Sequence, residues 1–232
     1  MITGNSRPIE STQAAPHPRL RDIVERHLRQ TYRRVPSDAG RRAFDAVATR
    51  LAGIPFVLDA GCGTGASTFA LARQFPDRVV LGIDKSEARL AAGRRIAQRN
   101  ATTDNAILLH CELVDFWQLA AEAGLVCERV FLLYPNPWPK AVHVMRRWHA
   151  HPVLPALLAL RGAIELRTNW AIYAQEFAQA MRIAGWSAHV ELFKADVLLT
   201  PFERKYAASG HAFWRGHAQC TAALPGSVTM HG

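Results

Sequence analysis

The chain of 232 residues has no apolar run long enough to cross a bilayer, which takes about 18 residues or more. Its opening stretch, MITGNSRPIESTQAAPHPRL, lacks the apolar core of a secretory signal. Its 4 cysteines, Cys62, Cys111, Cys127 and Cys220, are too widely spaced for a Cys-x-x-Cys zinc pattern or a disulfide framework. No metal site is expected, and reduced thiols in a cytoplasmic protein with no membrane contact are. Acid is also scarce. Asp and Glu number 19 against 28 Lys and Arg, and the net charge is +9. Such an excess suits a polyanionic partner, nucleic acid first.

What is present is ample apolar material, 49% of residues, enough to bury a sizeable core. Residues 1–18, rich in Ser, Pro, Thr and Gln, are expected to be disordered. Two basic helical patterns follow over 19–35 and 38–52, and the first 50 residues hold ten arginines against five acids. Apolar strands are then expected at 56–60, 79–84, 106–110, 129–134, 163–168 and 187–194, with a last one within 211–219. Helices are expected between them at 66–75, 86–100, 114–123, 152–160 and 171–184. This alternation predicts an α/β fold: a mostly parallel sheet with helices on both faces, preceded by N-terminal helices. The expected organisation is one domain over 19–220, with 19–52 a basic helical extension and 221–232 a flexible tail.

A glycine-rich loop, Asp59-Ala60-Gly61-Cys62-Gly63-Thr64-Gly65, sits between a strand and a helix, where a nucleotide loop belongs. Glycines at 61, 63 and 65 let the backbone turn tightly and approach a ligand. Asp84, at the end of the next strand, is placed to accept the ribose hydroxyls of an adenosine, with Lys85 beside it. Two details favour S-adenosyl-L-methionine over a dinucleotide. Asp59 stands where it can reach a cationic amino-acid end, directly or through water. The third glycine also comes one residue too early for a pyrophosphate loop.

The fourth expected strand runs into Tyr134-Pro135-Asn136-Pro137-Trp138-Pro139-Lys140, whose prolines stiffen the segment and fix the direction of Asn136 beside the crevice. Trp138 reads as simply packed. Lys140, His143, Arg146 and Arg147 form a compact basic group suited to phosphates.

The stretch YPNPWPKAVHVMRR is similar to the PDPWPKxRHxKRR signature of the tRNA (guanine-N7)-methyltransferase family. Thr168-Asn169-Trp170-Ala171-Ile172-Tyr173-Ala174 resembles that family's TDWxxYA. Thr200-Pro201-Phe202-Glu203-Arg204-Lys205, followed by Gly210, resembles its TxFExR…G segment. The resemblance runs from about residue 50 to 216. It implies a Rossmann-like class I methyltransferase, monomeric or homodimeric, that acts on guanine in tRNA. It also implies that Asp59 and Asp84 hold the cofactor, and that Lys140 and the segment Thr200, Phe202 and Glu203 face substrate.

The family pattern has acids at three positions where this chain differs. One follows the third strand, where Cys111 stands with Glu112 adjacent. The others are Asn136, the candidate catalytic residue, and Asn169. Asn offers one carbonyl acceptor where a carboxylate offers two oxygens. Two other readings therefore stay open: a relative that methylates a ring nitrogen of a small heteroaromatic acceptor, and a non-catalytic RNA-binding homologue.

Overall fold

The computed structural model describes residues 4–99, 104–195 and 197–221. The elements in chain order begin with α1 (Leu20–Arg29), α2 (Asp38–Leu51), β1 (Phe56–Ala60), α3 (Ala66–Gln74), β2 (Val80–Asp84) and α4 (Glu87–Arg99). Next come β3 (Ala106–His110), α5 (Leu113–Glu122), β4 (Cys127–Leu133), α6 (Leu154–Ala159), β5 (Ala163–Thr168), α7 (Ala171–Ile183), β6 (Ser187–Phe193), α8 (Pro201–Ala208) and β7 (Phe213–Gln219). Two short 3₁₀ turns, Ala141–Arg146 and Trp148–Ala150, lie between β4 and α6. Among the described residues no helix is long and apolar enough to cross a membrane.

The strands form one sheet in the order β3-β2-β1-β4-β5-β7-β6. All neighbours are parallel except β7, which runs antiparallel to both β5 and β6. Alternation along β1 sends Val57 to one face, where it joins Leu71 and Ala72 of α3 with Val80, Phe131 and Leu133. Phe56, Leu58 and Ala60 belong to the larger core on the other face, shared with α1, α2 and α5 to α7. Burial on both faces is why the central strands read as mostly apolar runs. The winding of the sheet reverses between β1 and β4, and crevices for ligands open at that point, beyond the strand ends.

Several boundaries differ from the sequence expectation for local reasons. Helix α1 stops at Arg29 rather than running to 35. Beyond it the Tyr32 ring meets His151 edge-on, and Gln118 Nε2 donates to the Arg34 carbonyl at 2.7 Å. Helix α2 does begin at its Ser37 cap, whose hydroxyl accepts the Gly40 N–H and donates to Asp115 on α5 at 2.6 Å. Strand β4 starts two residues earlier than expected and ends before Tyr134, whose φ of 52° leaves the extended region. Helix α8 was not anticipated as a helix. Its signal is the capping box Thr200-x-x-Glu203 with Pro201 in the first turn.

Residues 4–18, where disorder is expected, follow the domain as an irregular strap held by hydrogen bonds. The Gly4 N–H donates to the Ala208 carbonyl at 2.7 Å, and the Ser11 hydroxyl to that of Pro139 at 2.7 Å. Farther on, the Gln13 side chain and the His17 N–H both reach Glu176 Oε1, at 2.6 and 2.8 Å. These bonds give a polar, weakly apolar segment enough partners to hold one path. Of the expected tail, only Thr221 lies among the described residues; its hydroxyl donates to the Gly185 carbonyl at 2.9 Å.

Glu176 on α7 is fully buried. Its Oε2 accepts from Arg147 Nη1 and from His149 Nε2 at 3.0 Å. Arg147 is buried too, with Nη2 on Gln13 Oε1 and the Trp138 carbonyl, both at 3.0 Å, and its guanidinium over the Trp170 ring. Burial pushes the Glu176 carboxyl up, but the His149 and Arg147 bonds outweigh it and hold the group at about 2. A carboxyl depressed in the folded state contributes stability above its ordinary range, and that stability is lost as pH falls from about 4.5 toward 2. Arg147→Ala should strand this buried charge and destabilise the fold by about 3–5 kcal/mol. It should also flatten the acid limb of the stability curve. Urea unfolding between pH 2 and 6 checks both, and a variant as stable as the parent would remove Arg147 from the core.

Candidate functional site

A cavity of about 910 Å³ opens beyond the carboxyl ends of β1, β2 and β4. That is room for a cofactor together with part of a second ligand. One wall is the glycine loop. Gly61, Gly63 and Gly65 hold φ of 85°, 61° and 77°, a region that side chains other than glycine rarely enter. Gly65 is closed in, since a Cβ there would stand 2.6 Å from Leu108 Cδ2, and the residue does not face the cavity. At Gly61 and Gly63 a Cβ would meet nothing within 4 Å. The loop thus keeps open space on its ligand side.

Asp84 braces the loop. Its Oδ2 accepts the Gly63 N–H at 3.0 Å, its Oδ1 accepts the Ser86 N–H at 2.8 Å, and Arg89 Nη2 lies 3.2 Å away. Lys85 and Glu112 line the same side, 3.9 Å apart. Cys111 does not line the cavity; it is buried, and its thiol donates to the Glu112 carbonyl at 3.4 Å. Of the two candidates after β3, the carboxylate of Glu112 therefore faces the site. Asp59 lies beneath the loop, buried, with Oδ2 accepting the hydroxyls of Ser67 at 2.6 Å and Thr68 at 2.7 Å. Ser67 lines the cavity and Asp59 does not. Burial raises the Asp59 carboxyl to about 6 against the pull of the two hydroxyls, and Asp84 adds to the rise. Burial, with Asp59 second, also raises the Cys62 thiol on the loop, so it stays protonated and is no nucleophile.

The opposite wall is built by the proline loop, Asn169 and the start of α8. Tyr134 and Trp138 hold φ of 52° and 45°, and backbone strain of this kind gathers at functional sites. Asn136 Oδ1 accepts the Trp138 N–H at 3.2 Å, which leaves its NH₂ group for the cavity it lines. Trp138 is more than packing: it lines the cavity, with Arg146 over its ring at 4.6 Å and His143 edge-on at 5.7 Å. Thr200 and Phe202 face the cavity, Phe202 with its ring half exposed. The strap enters as well, through Ile9.

A family described as "Putative methyltransferase" matches residues 54–215, from β1 to β7. The tRNA (guanine-N(7)-)-methyltransferase of Leifsonia xyli subsp. xyli is 31% identical over 171 residues, 69% of this chain and 74% of that protein. That of Burkholderia cenocepacia is 31% identical over 182 residues, 74% and 68% of the two chains.

The chain belongs to the tRNA (guanine-N7)-methyltransferase family. Solved methyltransferases share its fold at lower identity. The 16S rRNA methyltransferase KamB superposes with a TM-score of 0.55 at 18% identity, covering 75% of this chain and 93% of that one.

Four residues expected on the substrate side do not line the methyltransferase's cavity. Arg147 belongs to the Glu176 core, where no phosphate can reach it. Glu203 is fully buried. Its Oε1 accepts from Tyr134 Oη at 3.2 Å and Arg167 Nη1 at 2.9 Å, while Oε2 takes the Leu199 and Thr200 N–H groups. It ties α8 to β5 and to the proline loop rather than touching substrate. Lys140 and His143 lie on the exposed turn beyond the cavity. Residues that the sequence reading missed include Thr64, Leu113, Val114 and Tyr206, which line the cavity; their types carry no signal without the fold. Among the described residues, His189, Glu191 and His217 come within ligand distance of one another on β6 and β7. There Arg215 Nε donates to Glu191 Oε1 at 2.7 Å and takes the carboxylate a metal would need.

Glu203→Ala should act as a packing mutation, because it leaves the largely enclosed Arg167 without its partner on α8. A loss of about 3 kcal/mol or more is expected, with melting temperature falling in step with activity. Full stability with lost turnover would return Glu203 to the substrate side.

Proposed function

We propose that this methyltransferase uses S-adenosyl-L-methionine to methylate N7 of a guanine in tRNA. The observation that carries this reading is one continuous cavity. A carboxylate-and-glycine wall suited to an adenosine stands on one side, and a basic, aromatic rim suited to a nucleotide stands on the other. The names of the relatives support the acceptor, and a cytoplasmic location goes with it.

The residues present fit the cofactor. Asp84 and Glu112 supply acceptors at the ends of β2 and β3, and the space over Gly61 and Gly63 admits a ligand close to the backbone. Bound S-adenosyl-L-methionine would supply a methyl group on a cationic sulfur. Guanine N7 offers an unprotonated lone pair, so the protein needs no general base. Its task is to hold the ring in line, and orientation alone accounts for a large share of such rate enhancements. Trp138 and Phe202 offer flat faces at the rim for a base. Arg26 on α1 reaches Met145 Sδ at 3.6 Å, so the basic side of α1 lies beside the turn that carries Lys140, His143 and Arg146. That surface would take the phosphates on either side of the target.

Incubation of the purified protein with unmodified tRNA and cofactor, followed by nucleoside mass spectrometry, should yield N7-methylguanosine. No product, or product only from a small heteroaromatic acceptor, would overturn the reading. RNA affinity should fall steeply with salt. Lys140→Ala and Arg26→Ala should each lower the slope of log K against log salt by roughly one unit or less. An unchanged slope would remove those residues from the interface.

Asp59 gives a pH test. Its carboxyl titrates near 6, and only the charged form favours a cationic ligand above it. Cofactor affinity should therefore weaken as pH falls from 7 to 5, and Asp59→Asn should abolish most of that dependence. Calorimetry at several pH values decides, and parallel profiles in the two proteins would show that Asp59 does not sense the ligand.

A further inference from the structure

Asn169 lines the cavity, and its amide has two ends of opposite hydrogen-bonding sense. Asn169 Nδ2 lies 3.0 Å from His211 Nδ1, and His211 Nε2 lies 3.0 Å from the carbonyl oxygen of Ser6. A carbonyl only accepts, so Nε2 carries a proton. In a neutral imidazole Nδ1 is then bare and accepts, and only the NH₂ end of an amide can face it. Asn169 Oδ1 accepts no protein hydrogen bond among the described residues, and it is the end left for the cavity.

The chain of bonds is held from outside. The His211 ring stacks on Tyr206, with centroids 5.1 Å apart and planes 9° from parallel, and the backbone N–H of His211 donates to the Tyr206 carbonyl at 3.0 Å. Ser6 is tied in turn by its N–H to Ser209 Oγ at 3.0 Å. We infer that His211 is a positioning residue that turns the carbonyl of Asn169 toward the acceptor base, and that the Ser6 carbonyl on the N-terminal strap fixes the tautomer this requires.

The inference rests on the proposed function and deepens it. Guanine presents N–H donors at N1 and N2, and a cavity that receives it needs an acceptor facing them. A carboxylate at position 169 would offer one whichever way it turned. An amide does so only when something fixes its orientation, and His211 supplies that constraint. The Asp-to-Asn departure at this position is thereby compensated on the substrate side.

Three measurements test this. The ring ¹⁵N spectrum of His211 in the full-length protein at neutral pH should show the neutral tautomer protonated at Nε2. His211→Phe keeps a ring against Tyr206 but removes both nitrogens. It should lower kcat on tRNA by about tenfold or more, as loss of one orienting contact does, with cofactor affinity unchanged. Asn169→Asp placed in the His211→Phe background should then recover most of the lost rate, because a carboxylate has no wrong orientation. A purely structural role for His211 would leave that double variant as slow as the single one, and this result would overturn the inference. So would a neutral ring protonated at Nδ1. If the parent protein methylates no tRNA, the proposed function fails, while the ring spectrum still decides the tautomer.

Discussion

The substrate half of this molecule is assembled around one buried charge, the Glu176 carboxylate on α7. Three otherwise independent pieces of chain converge on it: the strap through Gln13 and His17, the 3₁₀ turns through Arg147 and His149, and α7 itself. Arg147 passes the constraint on, since it also binds the carbonyl of Trp138 in the proline loop. A carboxylate without partners in such a place would cost several kcal/mol, so each of the three pieces stabilises the others. The position of the proline loop over the cavity is a by-product of that electrostatic demand.

A second buried carboxylate, Glu203, does similar work on the neighbouring wall by gathering Arg167, Tyr134 and the first turn of α8. The strained conformation of Tyr134 is thus pinned at its hydroxyl, while its ring lies against Tyr206 and Phe213. The cofactor wall is built on another plan. There the backbone itself is the scaffold, and Asp84 serves as a brace for the turn as well as a candidate ligand group. One wall is rigid through side-chain networks and the other through glycine geometry.

The order of strands and helices was legible because a sheet covered on both faces leaves apolar runs in the sequence, as at Phe56–Leu58 and Val130–Leu133. The glycine loop and Asp84 were legible because their spacing is dictated by one strand, one turn and one helix. The second wall was only partly legible. Arg147 and Arg146 are neighbours of the same type, yet one is wholly buried and the other lies over Trp138 at the cavity. Nothing local separates them, because the partner that decides the matter is 29 residues away. The path of the strap was not legible for the same reason. Its composition is that of a disordered segment, and its order comes from acceptors and donors supplied by α7, α8 and the proline loop.

The position of β7 bears on how the protein is made. This strand, late in the chain, is inserted between β5 and β6 and pairs with both. While synthesis is still short of Phe213, β5 has an open edge and β6 has no neighbour to bond. His211, too, enters only with the turn that leads into β7. Every residue of the glycine wall thus precedes β4 in the chain, whereas the opposite wall is complete only once β7 has been made.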